Sequence, residues 1–388
     1  MPVTIGIPAE TFPGERRVAM TPRAFEMFAK LDVQFLVQSG AGNAAGFPDA
    51  DLQVRGVQIV QTRAEVFSAS HIILQVRTLG ANPEAGRSDL DLFRQGQIVI
   101  GFGEPLTAAA EYAELARRGV TSFAMELIPR ITRAQSMDAL SSMATIAGYK
   151  AVLMAADALP RMFPMLMTAA GTITPARAFI LGAGVAGLQA IATARRLGAV
   201  VQAYDVRAAV KEQIESLGAK FVSVELDTSQ AEGKGGYAQE LGPDFYRRQA
   251  ELLTGVIRQQ DVVISTAAVP GKRAPILISR DMVAEMAPGS VIVDLAAERG
   301  GNCELTQPGR TIVESGVTIM GPANVASAIP YHASQMYSRN IATFARYLLA
   351  SGEPKIDLED EITRETLVTH AGEIVNSRVR ELSAPKAG

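Results

Sequence analysis

Ala178-Phe-Ile-Leu-Gly182-Ala-Gly184-Val-Ala-Gly187 is the stretch of sequence that decides the fold. A short apolar run typical of a buried strand leads into three glycines, and a helical pattern follows that Gly198 ends. In such a turn Gly182 permits the tight bend, Gly184 lets a ligand approach the backbone, and Gly187 allows the helix to pack closely. Strand, glycine-rich turn and helix in this order predict a dinucleotide-binding unit with the pyrophosphate at the helix N-terminus.

Asp205 ends the next predicted strand about twenty residues further on, as this fingerprint requires. A carboxylate at this position accepts hydrogen bonds from the adenosine ribose and repels a 2′-phosphate, so the sequence favours NAD(H) over NADP(H). Arg207 leaves an alternative open, because its guanidinium could pair with a 2′-phosphate. An ion pair with Asp205, or a solvated side chain, is the more ordinary role for an arginine two residues away.

Strand-like runs alternate with helical patterns along the chain, which is typical of parallel sheets whose strands are joined by helices. The first series of predicted strands covers 4–7, 33–37, 72–76, 98–101 and 121–124. The second series covers 178–181, 200–204, 220–222, 262–266 and 291–295. Each series is long enough to form a doubly wound sheet.

A long helical pattern over 136–159 separates the two series, and a helical tail over 333–350 has no second sheet of its own to cover. We therefore expect the tail to return to the first domain. The predicted fold class is α/β, with two doubly wound Rossmann-like domains separated by a cleft. The flanking domain comprises 1–140 plus 325–388, and the NAD(H)-binding domain comprises 141–324.

Composition excludes several classes of function. A formal net charge of −3 gives no electropositive field for a nucleic acid. Cys303 is the only cysteine, and the three histidines lie far apart in sequence, so no metal site is predicted. The N-terminus lacks the basic start and apolar run of a signal peptide, and no segment offers the ~20 unbroken apolar residues of a membrane span. The sequence therefore predicts a cytoplasmic protein.

The segment 125–142, Met-Glu-Leu-Ile-Pro-Arg-Ile-Thr-Arg-Ala-Gln-Ser-Met-Asp-Ala-Leu-Ser-Ser, closely resembles a characteristic segment of one family. That family is the NAD(H)-binding component of proton-translocating nicotinamide nucleotide transhydrogenases. The likeness continues through 167–172, 182–198, 205–208, 270–272, 294–296 and 300–304, and it covers nearly the whole chain. The family is also related to alanine dehydrogenase.

The resemblance implies a role for specific residues. Nicotinamide positioning is implied for Arg130, Gln135, Asp138 and Ser141, reaching across the cleft from the first domain. Contact with the rest of NAD(H) is implied for Val185, Asp205, Val206, Arg207, Gly236, Tyr237, Gln249 and Ala268. The stretch 233–237 resembles the family's mobile loop, although glycines are also common in ordinary surface loops. Arg130 and Asp138 could alternatively form a structural ion pair.

Partners also follow from the resemblance. It implies a homodimer, an NADP(H)-binding transhydrogenase subunit and a membrane proton-channel subunit, through which the chain would lie peripheral to the cytoplasmic membrane. Hydride transfer between two nicotinamides requires the two rings to be brought together rather than an acid and a base. Residues that position the ring should therefore matter most.

Two other functions remain open at this point. The first is an alanine dehydrogenase-like amino acid dehydrogenase, which needs proton transfers. Similarity to that family places Gln75 where its lysine belongs and Glu104 where its histidine belongs, whereas Arg17 matches an arginine that both families share. The second is a non-catalytic NAD-binding module, which would bind NAD without turnover beside any partner.

Overall fold

The computed structural model describes residues 2–53, 56–223, 242–269 and 271–383. The chain divides into two compact units, Met1–Met143 with Ala326–Gly388, and Ala144–Val325. Each unit has its own large β-sheet, and both large sheets are mainly parallel. The predicted α/β class with parallel sheets is confirmed.

The first unit contains eight strands and the helices that join them. Its strands are β1 Val3–Ile7, β2 Val33–Gln38, β3 Gln58–Val60, β4 Ile72–Arg77, β5 Ile98–Phe102, β6 Thr121–Ala124, β16 Leu367–His370 and β17 Glu373–Ile374. Its helices are α1 Pro22–Phe25, α2 Asp49–Gln53, α3 Arg63–Ala69, α4 Ala109–Arg117, α10 Pro330–Leu348, α11 Glu361–Thr366 and α12 Ser377–Ser383. Helix α5, Ala139–Ala158, begins in this unit and continues into the second.

The strand order of the first sheet is β17-β16-β6-β5-β4-β1-β2-β3. Strands β1 to β6 are parallel, and their order is that of a doubly wound nucleotide-binding sheet. The central strand β4 is almost continuously apolar because helices cover both faces of such a sheet. Strand β16 runs antiparallel to β6 and extends the edge with the returning chain.

The second unit contains the glycine-rich turn. Its strands are β7 Leu166–Thr168, β8 Gly171–Ile173, β9 Arg177–Leu181, β10 Val200–Tyr204, β11 Lys220–Val222, β12 Val262–Ser265, β13 Val291–Asp294, β14 Arg310–Glu314 and β15 Val317–Gly321. Its helices, besides most of α5, are α6 Val185–Arg196, α7 Lys211–Ser216, α8 Pro243–Ile257 and α9 Arg280–Ala284. The large sheet has the order β11-β10-β9-β12-β13-β15-β14, and β7 and β8 form a separate hairpin.

Alternate residues of the central strands supply the two cores of this unit. Ile180 and Ile264 belong to a buried cluster that includes residues of α5 and α6. Phe179 and Val263 belong to a second cluster that includes residues of α8 and α9. Because successive strand residues point to opposite faces, one apolar strand sequence serves both layers of helices.

Helix α5 bears on the expectation that no segment offers ~20 unbroken apolar residues, although Lys150 and Asp157 interrupt it. Among the described residues it is one helix that is long and apolar enough, by length and composition alone, to do so. Its residues Ala151, Val152 and Ala155 are fully buried in the core of the second unit. A core helix passes the same test, so the composition of α5 is weak evidence for a membrane span.

Several short elements were missed by the sequence analysis. Strand β3 has only three residues, and β14 is an antiparallel edge strand whose residues are largely exposed. Strand β16, which ends at His370, lies beyond the predicted helical tail. Short edge strands carry little apolar periodicity, so pattern alone does not reveal them.

We predict that Gly187→Ala destabilises the protein, because a Cβ at this position would lie 1.8 Å from the carbonyl oxygen of Gly182. Overpacking of this kind costs about 1–3 kcal/mol or more. Gly184→Ala is the matched control, since no atom lies within 4 Å of its Cβ position and its φ is −74°. Thermal unfolding should show a lowered midpoint for the first variant only. Equal midpoints would contradict the close approach of α6 to the turn.

Candidate functional site

The glycine-rich turn lies between β9 and α6 at the carboxyl edge of the second sheet. Gly182 adopts φ +92°, which favours glycine, and its N–H donates to the carbonyl of Tyr204 at 2.8 Å. Gly184 precedes the first residue of α6, and none of the described side chains caps this helix N-terminus. Among the described residues, and apart from its chain neighbours, no atom lies within 4 Å of a Cβ built on Gly184, so this side of the turn is open there. An uncapped helix end facing open space suits a phosphate group, so these residues fit a dinucleotide.

Thr266 ties the glycine-rich turn to the neighbouring strand. Its N–H donates to the carbonyl of Leu181 at 2.8 Å, and its hydroxyl donates to the carbonyl of Gly182 at 3.0 Å. The connection after β9 leads to β10 on one side of the sheet, and the connection after β12 leads to β13 on the other side. The carboxyl ends of β9 and β12 therefore form the switch point where ligands of such sheets bind. Thr266 therefore holds the two sides of this crevice together.

Asp205 directly follows β10 and lies beside the glycine-rich turn. One carboxylate oxygen accepts the N–H of Ala183 at 2.7 Å. The guanidinium of Arg207 donates to both oxygens, at 2.8 and 2.7 Å. The structure therefore places Arg207 in the ion pair that the sequence analysis had considered. The pair fixes the carboxylate beside the glycine-rich turn.

Other residues proposed from the resemblance lie around this edge. Gln249, on α8, is buried and donates to the hydroxyl of Tyr204 at 2.9 Å. Tyr204 is the residue immediately before Asp205. Ala268 is exposed in the segment after β12, Val185 is exposed at the start of α6, and Val206 is partly buried. Gly236 and Tyr237 lie outside the described residues.

Asp294 was quoted only as part of a motif, yet it organises one side of the crevice. Its fully buried carboxylate accepts hydrogen bonds from the hydroxyls of Ser265 and Thr306 and from the N–H groups of Asn302 and other residues nearby. Asn302 in turn exchanges two hydrogen bonds with the backbone of Ala267. The sequence signal that could have identified Asp294 is a carboxylate at the end of an apolar strand.

The segment 128–138, here called the signature loop, follows β6 at the carboxyl edge of the first sheet. Arg130 and Gln135 are exposed, whereas Ala134 and Met137 are buried and anchor the loop. Asn340 on α10 donates to the carbonyl of Ser136 at 2.9 Å. The loop therefore presents its polar side chains from a fixed backbone.

Asp138 ends the signature loop and caps α5. Its carboxylate accepts the N–H of Ser141 at 2.9 Å and the hydroxyl of Ser141 at 2.5 Å. An aspartate in this position satisfies donors that the first turn of a helix leaves unpaired. The structure thus brings Asp138 and Ser141 together.

The switch point of the first sheet differs, because it is filled by the chain's own charged groups. The carboxyl group of Glu10, just after β1, accepts the N–H groups of Val76 and Arg77 at the end of β4, at 2.6 and 3.1 Å. Burial raises the pKa of Glu10 to about 7. Glu15 pairs with Arg17 through two contacts of 2.8 and 2.7 Å.

Glu15 remains ionised in spite of its burial. Desolvation raises its pKa, but the hydrogen bonds and charge of Arg17 outweigh that effect and lower the pKa to about 2. Nearby, the amide of Gln75 donates to Asp89 at 3.2 Å, and Asp89 is paired with Arg63. Gln75 and Arg17 therefore both lie at this edge of the sheet, where Gln75 is bonded to Asp89 and Arg17 to Glu15.

Within the described part of the chain, no group of three histidine, cysteine, aspartate or glutamate side chains could hold a metal ion.

Comparison with known proteins shows the family. Residues 6–147 match the family described as "Alanine dehydrogenase/PNT, N-terminal domain", and residues 151–377 match the corresponding C-terminal domain. The chain is 44% identical to the first part of NAD(P) transhydrogenase subunit alpha of Rhodospirillum rubrum, covering 96% of this chain and 97% of that protein. It is 28% identical to alanine dehydrogenase of Mycobacterium tuberculosis, over 97% and 95% of the two chains.

Similarity extends to a solved structure, that of transhydrogenase from Sinorhizobium meliloti. The TM-score is 0.83 at 41% identity, covering 96% of this chain and 99% of that one. Sequence, domain matches and fold agree over nearly the whole length. The chain therefore belongs to the alanine dehydrogenase/PNT family, among the alpha subunits of NAD(P) transhydrogenase.

Proposed function

We propose that this chain is the NAD(H)-binding component of a proton-translocating transhydrogenase and exchanges hydride directly with NADP(H) on a partner subunit. The observation that carries the proposal is the crevice of the second unit, where the uncapped start of α6, the open space at Gly184 and the carboxylate of Asp205 lie together. In this proposal 141–324 is the nucleotide-binding domain. The flanking domain, 1–140 plus 325–388, supplies the signature loop.

The proposed mechanism depends on positioning. When bound, NADH supplies the hydride from its nicotinamide ring, and no proton moves at the reacting carbon. Gly182, Gly184 and Gly187 would shape the site for the pyrophosphate, while Asp205 would accept the ribose hydroxyls. Arg130, Gln135, Asp138 and Ser141 would orient the nicotinamide half. Gly236 and Tyr237 are proposed to contact the nucleotide as well, together with Val185, Val206, Arg207, Gln249 and Ala268.

The buried groups of the first unit argue against an amino acid dehydrogenase. Arg17 is paired with Glu15, but both families share this arginine, so it does not distinguish the two reactions. Gln75 carries an amide that does not ionise near neutral pH, and it is bonded to Asp89. Deamination needs a group that gains and loses protons. Gln75 cannot serve as that group.

The names of the relatives support partner subunits. The Rhodospirillum rubrum relative is named as the first part of a subunit alpha, so that protein is one component of an assembly. For this chain we propose a homodimer, a partner that binds NADP(H) and a separate membrane subunit that conducts protons. The chain would then lie at the cytoplasmic face of the membrane through these partners.

The decisive experiment combines the purified chain, NADH, an NADP(H)-binding transhydrogenase component and an NADP⁺ analogue, and follows hydride transfer by absorbance. A parallel assay contains the chain, NAD⁺ and L-alanine. We expect transfer that requires both proteins and no oxidation of alanine. NADH formation from alanine would establish the dehydrogenase instead, and NAD binding without either reaction would indicate a binding module.

We predict that Asp205→Asn weakens NADH binding about tenfold and reduces the preference for NADH over NADPH. The variant loses a charge-assisted hydrogen bond and frees Arg207 to pair with a 2′-phosphate. Asp261→Asn is the control, because Asp261 also pairs with an arginine and accepts an N–H, but precedes β12 at the amino edge of the sheet. Fluorescence titration gives both dissociation constants. An unchanged ratio would remove Asp205 from ribose recognition.

We predict that Gln135→Asn leaves the Kd for NADH within about twofold of the original value but slows hydride transfer about 10- to 100-fold. Shortening the side chain by one methylene displaces its amide by roughly 1 Å, and misplacement on this scale can cost that much. Gln95→Asn, an exposed glutamine before β5 at the opposite edge of the first sheet, is the control. Stopped-flow transfer with the partner component measures the rate. A normal rate would exclude Gln135 from the nicotinamide site.

A further inference from the structure

Glu126 lies in the short helical turn Met125–Leu127, directly before the signature loop. Its carboxyl oxygen Oε1 accepts the N–H of Gly103 at 2.8 Å and the N–H of Glu104 at 2.5 Å. Gly103 and Glu104 follow β5, whereas Glu126 follows β6. One oxygen atom therefore joins the exits of two neighbouring strands at the carboxyl edge of the first sheet.

The turn that Glu126 contacts is held firmly by its surroundings. Glu104 adopts φ +47°, in the left-handed region that residues other than glycine rarely occupy. Its carbonyl accepts the N–H groups of Thr107 and Ala108 at 2.9 and 3.0 Å. A Cβ on Gly103 would lie 1.9 Å from the hydroxyl of Tyr112, so this residue has no room to move towards α4. Strained backbone of this kind persists only where neighbouring contacts determine it.

The far end of the signature loop is held independently, by the Asp138 cap and by the hydrogen bond from Asn340 to Ser136. The near end begins two residues after Glu126. Arg130 follows Glu126 by only four positions, so a shift of the carboxyl group would displace the backbone that carries Arg130. The turn after β5 thus acts as the fixed reference for the start of the loop.

We propose that Glu126 is a positioning residue that fixes the start of the signature loop against the turn after β5, and thereby sets the placement of Arg130 and Gln135. This inference rests on the proposed role of those two residues at the nicotinamide. Glu126 itself would not touch the nucleotide. Its effect on the reaction would pass through the loop backbone.

The neutral acid is the form of Glu126 that fits these surroundings. Burial raises the pKa of Glu126 to about 7, and the neighbouring charge of Glu104 contributes to this rise. The second oxygen, Oε2, is buried and finds no hydrogen-bond partner among the described residues. Tyr112 on α4 and Tyr337 on α10 also face this region, and burial raises the pKa of both hydroxyls well above its usual value. Ionisation would therefore place an uncompensated charge on Oε2.

The direction of the pH dependence follows from this raised pKa. The folded chain keeps the Glu126 proton between about pH 4.5 and 7, where an unfolded chain has lost it. The favourable contribution is fully present below the unfolded pKa and is lost as the pH rises through about 7. We therefore expect the loop to be held best below neutrality and less firmly above it.

The test measures single-turnover hydride transfer by the full chain with the NADP(H)-binding component between about pH 6 and 9, a range that brackets the raised pKa. The rates of Glu126→Gln and Glu126→Ala are divided by the wild-type rate at each pH, so that titrations in the partner cancel. The amide introduced by Glu126→Gln is neutral throughout, so this variant should gain relative to wild type above about pH 7. Glu126→Ala should transfer about tenfold more slowly or worse at about pH 6, with the Kd for NADH within about twofold.

Glu10→Gln is the matched control. Glu10 is also buried, has a pKa raised to about 7 and accepts two backbone N–H groups, but it lies between β1 and β4, away from the signature loop. Its rate ratio to wild type should not change with pH. A pH-independent ratio for Glu126→Gln, a wild-type rate for Glu126→Ala or the same pH dependence in Glu10→Gln would overturn the inference.

Failure of the proposed function gives a different result. If the wild-type chain transfers no hydride to the partner at any pH, the proposed function is wrong, and the inference falls with it. If the wild-type chain transfers hydride and only the variants behave unexpectedly, the positioning role alone is wrong. Should Glu126→Ala fail to fold, as judged by circular dichroism, the ratio for Glu126→Gln decides the question.

Discussion

The close approach of α6 to the turn after β9 is the constraint on which the nucleotide crevice depends. A single Cβ on Gly187 would collide with the carbonyl of Gly182, so the helix can start where it does only because that atom is missing. The same contact leaves the N-terminus of α6 facing the open space at Gly184. Thr266 and Asp205 then hold the turn from both neighbouring strands. Hydrogen bonds from both neighbouring strand ends thus hold the glycine-rich turn in place.

The first five strands of each large sheet have the same order, but the two switch points are occupied differently. In the second sheet the first strand ends in glycines, and the crevice stays open. In the first sheet the equivalent strand β1 leads to Glu10, whose carboxyl group takes up the backbone donors at the end of β4. The fold alone therefore does not decide where a nucleotide can bind. The residue types after the first strand of each sheet make the difference.

Much of the fold could be predicted from the sequence because its strands are short, apolar and regularly spaced. The central strands were found within a residue or two, as at β10 and β12, since buried parallel strands are continuous apolar runs. Strands β16 and β17 were missed because they pair only with distant parts of the chain or with each other. The positions of the glycine-rich turn and of Asp205 were predictable because the dinucleotide-binding fingerprint fixes their spacing along the chain.

Contacts between distant segments were the part of the site that the sequence could not show. Nothing local to Glu126 indicates that its carboxyl group meets Gly103 and Glu104, or that Asp294 organises the segment around Asn302. Such carboxyl groups sit at strand ends, where several backbone donors converge once the sheet has formed. Under the proposed function, whose rate depends on ring placement, these groups would matter because a displaced loop would lower the rate as a missing side chain would. At the carboxyl edges of the sheets, the hydrogen bonds that stabilise the fold are therefore the same ones that would position the proposed site.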